Sequence, residues 1–289
     1  MLDVAVIGSL NLDLVATTAR HPSPGETVLG TDFSEHPGGK GLNQAVAASR
    51  SGAAVAMLGI VGDDDAGRRL RSVAADEGID VDALETSVSM PTGRAIIVVD
   101  HAGENSIVVV PGANATMTNV VLPSSTVLLA QLEIPIETVT SAFAGARGAG
   151  TTTVLNPGPA QALPDTLVAN CDVIVPNEHE LELVGGVESL LERGAGAVVT
   201  TRGGAGVTVT ESDRSKWSVA AFPVEPIDTT GAGDAFCGAL AARLAVGDDL
   251  RAAVEFAAAA GALATTRSGA VPSLPHLDRI ESLRQTRSA

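Results

Sequence analysis

Aromatic residues are scarce in this chain, with no tyrosine, one tryptophan and five phenylalanines among 289 residues. The core must then be built from Ala, Val and Leu, and stacking platforms for single-stranded nucleic acid are not expected. Positive charge is scarce as well: 18 Lys and Arg stand against 34 Asp and Glu, for a net charge of -16. That balance argues against nucleic acid as a partner, since a broad surface for a phosphate backbone needs cations. One small anion held by backbone dipoles is still possible. The two cysteines, Cys171 and Cys237, follow no metal spacing and predict a reduced, cytoplasmic chain. Cys237 falls in an apolar run, where a buried, inert thiol is expected. No apolar run is long enough to predict a membrane span; the longest candidate, 256–264, is too short. Met1-Leu2-Asp3-Val4 has an early acid and no basic segment, so no signal peptide is expected.

What is present is a rhythm. Short apolar runs at 4–8, 54–60, 126–131, 152–155, 172–175 and 197–201 predict strands buried on both faces. Helical spacing follows at 66–77, 137–147, 235–246, 250–266 and 277–283. The alternation predicts an α/β fold: a doubly wound, mostly parallel central sheet with helices on both faces. Residues 14–37 are too polar for that sheet. Short strands are expected there at 27–30 and 31–34, and a hairpin at 94–100 with 106–110. Together they predict a small antiparallel β lid, about 14–37 and 94–110, on one domain spanning 1–289. A second hairpin is expected at 207–210 with 216–219. The acidic triplet Asp63-Asp64-Asp65 lacks calcium-loop spacing and predicts a helix cap.

Polar residues gather where such folds bind ligands, at the carboxyl ends of strands. Asn11 and Asp13 follow the first strand and share a face if the chain stays extended, suiting them to grip a polyol. Gly38-Gly39-Lys40-Gly41-Leu42-Asn43 opens a helix, with Lys40 and Asn43 on one face; Leu42 excludes a Walker motif. Glu133 ends another strand. In Asp228-Thr229-Thr230-Gly231-Ala232-Gly233-Asp234, glycines sit at a helix mouth, where unpaired N–H groups and the helix dipole favour an anion. A carboxylate beside an anion hole suits phosphoryl transfer, in which a hydroxyl loses its proton while donors hold phosphate charge. The plain alternatives are a capped helix, a turn-forming Asn/Asp pair and a solvated lysine.

Taken together, Gly38-Gly39-Lys40-Gly41-x-Asn43-Gln44-Ala45 and Asp228-Thr229-Thr230-Gly231-Ala232-Gly233-Asp234 resemble the two signatures of the PfkB carbohydrate kinases, which share the ribokinase-like fold. Asn11-x-Asp13, Gly103-Glu104-Asn105, Gly112-Ala113-Asn114, Leu132-Glu133-Ile134-Pro135, Pro176-Asn177-Glu178 and Gly203-x-x-Gly206 follow in the family's order over nearly the whole chain. The resemblance implies an ATP-dependent kinase acting on the 5-hydroxyl of ribose. It implies Asp234 as base and an anion hole from the helix mouth at Gly231, with the amides of Ala232, Gly233 and Asp234. The sugar ligands would be Asn11, Asp13, Gly38, Gly39, Lys40, Asn43 and Glu133. Asn177 and Glu180 would lie near the phosphates and Mg²⁺, and Thr201, Gly203 and Gly206 at the nucleotide. A monovalent cation, K⁺, would be held by Asp228, Thr230, Ala264, Arg267, Gly269 and Ser273. The lid would clasp a homodimer. Two departures from the family pattern are a short segment between Glu180 and Ala197 and an arginine at position 202. The alternatives are another sugar or nucleoside kinase (deoxyribose, a fructose-type sugar, adenosine) or a non-catalytic sugar-binding protein.

Overall fold

The computed structural model describes residues 2–288. The chain starts with β1 (Leu2–Ile7), and after residues 8–10 continues as β2 (Asn11–Thr18). β3 (Gly30–Gly38) returns antiparallel and runs directly into α1 (Lys40–Arg50). β4 (Val55–Gly62), α2 (Asp65–Asp76) and β5 (Leu84–Ser87) follow, then the hairpin β6 (Gly93–Val99) and β7 (Asn105–Val110). Beyond a 3-10 turn at Gly112–Thr116 come β8 (Ser125–Ala130), α3 (Ile136–Gly148), β9 (Thr152–Leu155), α4 (Asp165–Val168) and β10 (Val173–Ile174). α5 (Glu178–Leu183), α6 (Gly186–Glu192) and β11 (Ala197–Thr201) lead to the hairpin β12 (Val207–Glu211) and β13 (Lys216–Val219). The chain closes with α7 (Ala232–Ala245), α8 (Leu250–Ala264), α9 (Ala270–Ser273) and α10 (Leu277–Ser288).

The nine-stranded sheet has the order β13-β12-β11-β10-β9-β8-β1-β4-β5. It is parallel from β5 to β11, and only the β12/β13 hairpin at one edge runs antiparallel. Its strands alternate between two cores. Val4, Val6, Val127 and Leu129 join a core with α1, α2, α7 and α8, while Ala5, Ile7, Leu128 and Ala130 join one with α3, α4 and α6. Helices therefore cover both faces, as the continuous apolar runs predict. The chain leaves β1 toward β4 on one side and returns as β8 on the other, so the switch point of the sheet lies at β1/β8.

The smaller sheet has the order β3-β2-β6-β7. Its outer pairs are antiparallel, and β2 and β6 run parallel at its centre. The strand expected at 27–30 does not form: pairing slips at Thr17/Thr18, so Gly30 meets Thr18 and residues 27–29 have no strand opposite them. The expected strand at 31–34 is part of the longer β3. Asp64 caps α2 by accepting the Gly67 N–H at 2.8 Å, and also accepts from Thr92 N and Oγ1, fastening the start of β6 to the larger sheet. The short segment after Glu180 is filled by α5 and α6. No helix among the described residues is long and apolar enough to cross a membrane.

Candidate active site

The site assembles where β1 passes into β2. Residues 8–10 end the larger sheet, and Asn11 already pairs with Gly38 and Gly93 in the smaller one. Because the chain stays extended, Asn11 and Asp13 share a face, as expected. Asn114 holds this crossing: it accepts from Leu10 N at 3.1 Å and donates to Asn11 Oδ1 at 2.8 Å. With Asn11 Oδ1 occupied, its amide is turned toward Glu133 Oε2, 3.4 Å away. Gly39 crosses against the same segment with φ 90°; a Cβ there would lie 2.8 Å from Asn11 N. Only glycine permits that approach.

Glu133, just beyond β8, reaches back to cap α1. Its Oε2 accepts from Lys40 N at 3.1 Å and from Ser9 Oγ at 2.5 Å. A carboxylate suits that position, where helix N–H groups lack partners and the dipole is positive. α1 therefore starts at Lys40, which puts Lys40, Asn43 and Gln44 on one face. That face meets the first turn of α7. Asp234, 7% exposed, accepts from Asn43 Nδ2 at Oδ2 and from Gln44 Nε2 at Oδ1, both at 2.9 Å.

Electrostatics follow from this crowding of acids. Burial, with Glu133 and Asp234 nearby, pushes the Asp13 carboxyl up to about 7. Asp234, with help from Glu133 and Glu180, raises Lys40 above its ordinary value and keeps the ammonium charged despite its burial. Burial pushes the Cys237 thiol well up, consistent with an inert core thiol.

Lys40, Asn177, Glu180, Thr201, Gly231, Gly233 and Asp234 line one cleft of about 210 Å³. At its helix mouth, Gly231 precedes α7 and the Ala232 N–H turns back to Thr229 O at 3.2 Å. Of the three amides expected in an anion hole, those of Gly233 and Asp234 have no backbone acceptor among the described residues. Asn177 and Glu180 form a reciprocal cap at the start of α5, with Asn177 Oδ1 accepting from Glu180 N and Glu180 Oε2 from Asn177 N. Gly203 and Gly206 lie in the turn after Thr201, outside that lining. Arg202 points to Glu178, 3.0 Å away. A larger groove of about 860 Å³ between residues 118–125 and α3 contains none of these residues.

Behind the cleft, Asp228 accepts from Thr230 N and Gly269 N, both at 2.8 Å, tying the approach to α7 to the loop after α8. Burial opposes its charge, but these bonds hold the carboxyl below its ordinary value. Ala264 and Ser273 are buried, Gly269 is half-buried, and the Arg267 side chain is exposed. The Ser273 hydroxyl donates to Ala270 O at 2.8 Å.

Four residues of the site received no role from the sequence: Ser9, Gln44, Asn114 and Asn156. Gln44 was within reach of the three-and-four spacing rule, being four residues after Lys40. Ser9, Asn114 and Asn156 act across more than 100 residues, and no local pattern assigns their partners.

Comparison with known proteins agrees with this fold. A ribokinase of Bacillus subtilis is 39% identical over 98% of this chain and 99% of its own length. The crystal structure of a ribokinase from Thermotoga maritima superimposes with a TM-score of 0.91 at 33% identity, covering 99% of this chain and all of that one. The Arabidopsis thaliana ribokinase complexed with ribose and ATP gives a TM-score of 0.90 at 27% identity, over 98% of this chain and 99% of its own. The pfkB family of carbohydrate kinases matches residues 1–277, and this chain belongs to that family.

Proposed function

We propose that this carbohydrate kinase transfers the γ-phosphoryl group of ATP to the 5-hydroxyl of D-ribose, giving ribose 5-phosphate and ADP. One observation carries the chemistry: a buried carboxylate, Asp234, held by two amides at the first turn of α7 beside the free Gly233 N–H. As the hydroxyl oxygen attacks the γ-phosphorus, its proton passes to Asp234. The amides of Gly233 and Asp234 meet the charge that develops on the phosphoryl oxygens. The ribokinase relatives, and the neighbour complexed with ribose and ATP, support the choice of sugar and nucleotide.

In this reading Asp13, Asn43, Lys40 and the free oxygen of Glu133 grip the sugar. The buried Asn43 Oδ1 supports it: that acceptor has no partner among the described residues, and a sugar hydroxyl would satisfy it. Asn177 and Glu180 face the phosphate side of the cleft. A carboxylate and amide oxygens suit Mg²⁺, which would neutralise phosphate charge there. Thr201 and the turn with Gly203 and Gly206 would receive the nucleotide. Asp228, the Ser273 hydroxyl and the carbonyls of Ala264, Arg267 and Gly269 form an all-oxygen set suited to K⁺, with Thr230 beside it. The smaller sheet would close over the sugar and exclude water.

A coupled ADP-release assay with ribose, 2-deoxyribose, fructose and adenosine tests the assignment. Ribose is expected to give the highest kcat/KM, and a better rate with any other acceptor overturns it. Asp234→Ala is expected to lower kcat by about 10²-fold or more with modest change in sugar binding. Near-normal turnover would remove Asp234 from the role of base.

A further inference from the structure

Every polar group of the Gln44 side chain is engaged. Its Nε2 donates to Asp234 Oδ1 at 2.9 Å and to Asn156 Oδ1 at 3.1 Å; its Oε1 accepts from Gln131 Nε2 at 2.6 Å. Asn156 is anchored in turn, donating to Val175 O at 3.0 Å. Both glutamines are fully buried. An ionised carboxylate only accepts hydrogen bonds, so Gln44 must present its NH₂ to Asp234. Reversing that amide would set two acceptors against each other.

Asn156 Oδ1 opposes the reversal, and so does Gln131, just beyond the end of β8. It gives its own NH₂ to Gln44 Oε1 and leaves its Oε1 buried with no partner among the described residues. A buried orphan acceptor is unfavourable, and an apolar side chain would avoid it. Packing alone therefore does not account for a glutamine at this position. The end of β1 makes room for it: a Cβ on Gly8 would lie 2.1 Å from Gln131 Oε1 and 2.8 Å from Gly41 Cα.

We infer that Gln131 and Gln44 form a relay of amides that fixes the plane of the Asp234 carboxylate, making Gln44 a positioning residue for proton abstraction. The relay rests on the reading of Asp234 as the base. It runs from β8 through α1 to α7, across the switch point of the sheet. Asn43 holds one carboxylate oxygen and Gln44 the other, so losing Gln44 leaves the base present but free to turn about its remaining bond.

The test is the single-turnover rate of phosphoryl transfer to the best sugar of the panel. It is measured with sugar affinity and thermal melts for the wild type, Gln44→Met, Gln131→Met, the double variant and Asp234→Ala. Gln44→Met is expected to slow transfer by about 10-fold or more while sugar affinity stays within about threefold, because a small misplacement of a reacting group is costly. Gln131→Met is expected to slow the same step by less. The double variant should transfer within about twofold of Gln44→Met, since the two act in series. Wild-type transfer in Gln44→Met, a loss confined to sugar affinity, or effects that multiply in the double variant would each overturn the relay. Should Gln44→Met not fold, Gln131→Met decides alone, and unchanged transfer overturns it. If Asp234→Ala still transfers at a normal rate, the base reading fails and the relay with it. If Asp234→Ala is inactive while Gln44→Met is unimpaired, only the relay fails.

Discussion

Asp13 brings its carboxyl into a cluster that already holds Glu133 and Asp234, and burial adds to their repulsion. Its value rises from an ordinary 3.8 to about 7. Between those two values the folded protein keeps a proton that the unfolded chain has released. Stability therefore falls as pH rises through that window and stays reduced above it. Asp13→Asn removes the effect. Without sugar, the variant is expected to melt about 2 °C or more above the wild type at pH 8, and at the same temperature near pH 4. Differential scanning fluorimetry across that range checks it, and a variant no more stable at pH 8 contradicts it. The same substitution should weaken sugar binding, since an amide does not replace a carboxylate as acceptor. A residue so placed lowers the stability of the empty protein and is justified by its ligand.

At the scale of elements, the contact that matters is α1 against α7. The shortage of aromatics and the abundance of alanine have a use here. A Cβ on Gly238 would lie 2.4 Å from Gln44 O and 2.6 Å from Ala47 Cβ, so the two helices touch almost backbone to backbone. Small side chains permit that approach, and it brings Asn43 and Gln44 within 2.9 Å of Asp234. A second connection joins the approach to α7 with the loop between α8 and α9 through Asp228 and Gly269. Arg50, at the end of α1, extends the connection by donating to the carbonyls of Val271 and Leu274 at 2.9 and 2.8 Å. If a K⁺ ion settles in that loop, activity should rise with K⁺ in Na⁺-free buffer, and Asp228→Asn should blunt the response. Kinetics indifferent to the cation would argue against that site.

At the scale of the molecule, the smaller sheet carries a run of exposed apolar side chains. β7 lies at its edge, and all six of its residues are exposed, including Ile107, Val108, Val109 and Val110. Exposed apolar side chains on an unpaired edge strand invite a partner. Association of two copies through this sheet is the proposal that follows. Light scattering should then report a dimer, and Ile107→Lys with Val109→Lys should shift it toward monomer. A wild-type monomer at working concentration would refute the clasp.

Much of this was legible in the residues themselves. Apolar runs of four to seven residues separated by helical spacing specify a doubly wound sheet, because each strand must be covered on both faces. The strand at 152–155 and the one at 197–201 fall where the pattern puts them. Glycine clusters before α1 and α7 marked the two helix mouths, since backbone at a turn into a helix has few other solutions. Residues 27–29 were misread as strand because strand formation needs a neighbour in register, and none is offered there. The short helices α4, α5, α6 and α9 are too brief to carry a periodic signal. Tertiary structure alone decided which polar groups meet. Glu133 caps a helix that starts 93 residues earlier in the chain, Asn43 reaches a carboxylate 191 residues away, and Gln131 reaches Gln44 across 87. Sequence records the residue types at each strand end; the order in which the sheet winds brings those ends together.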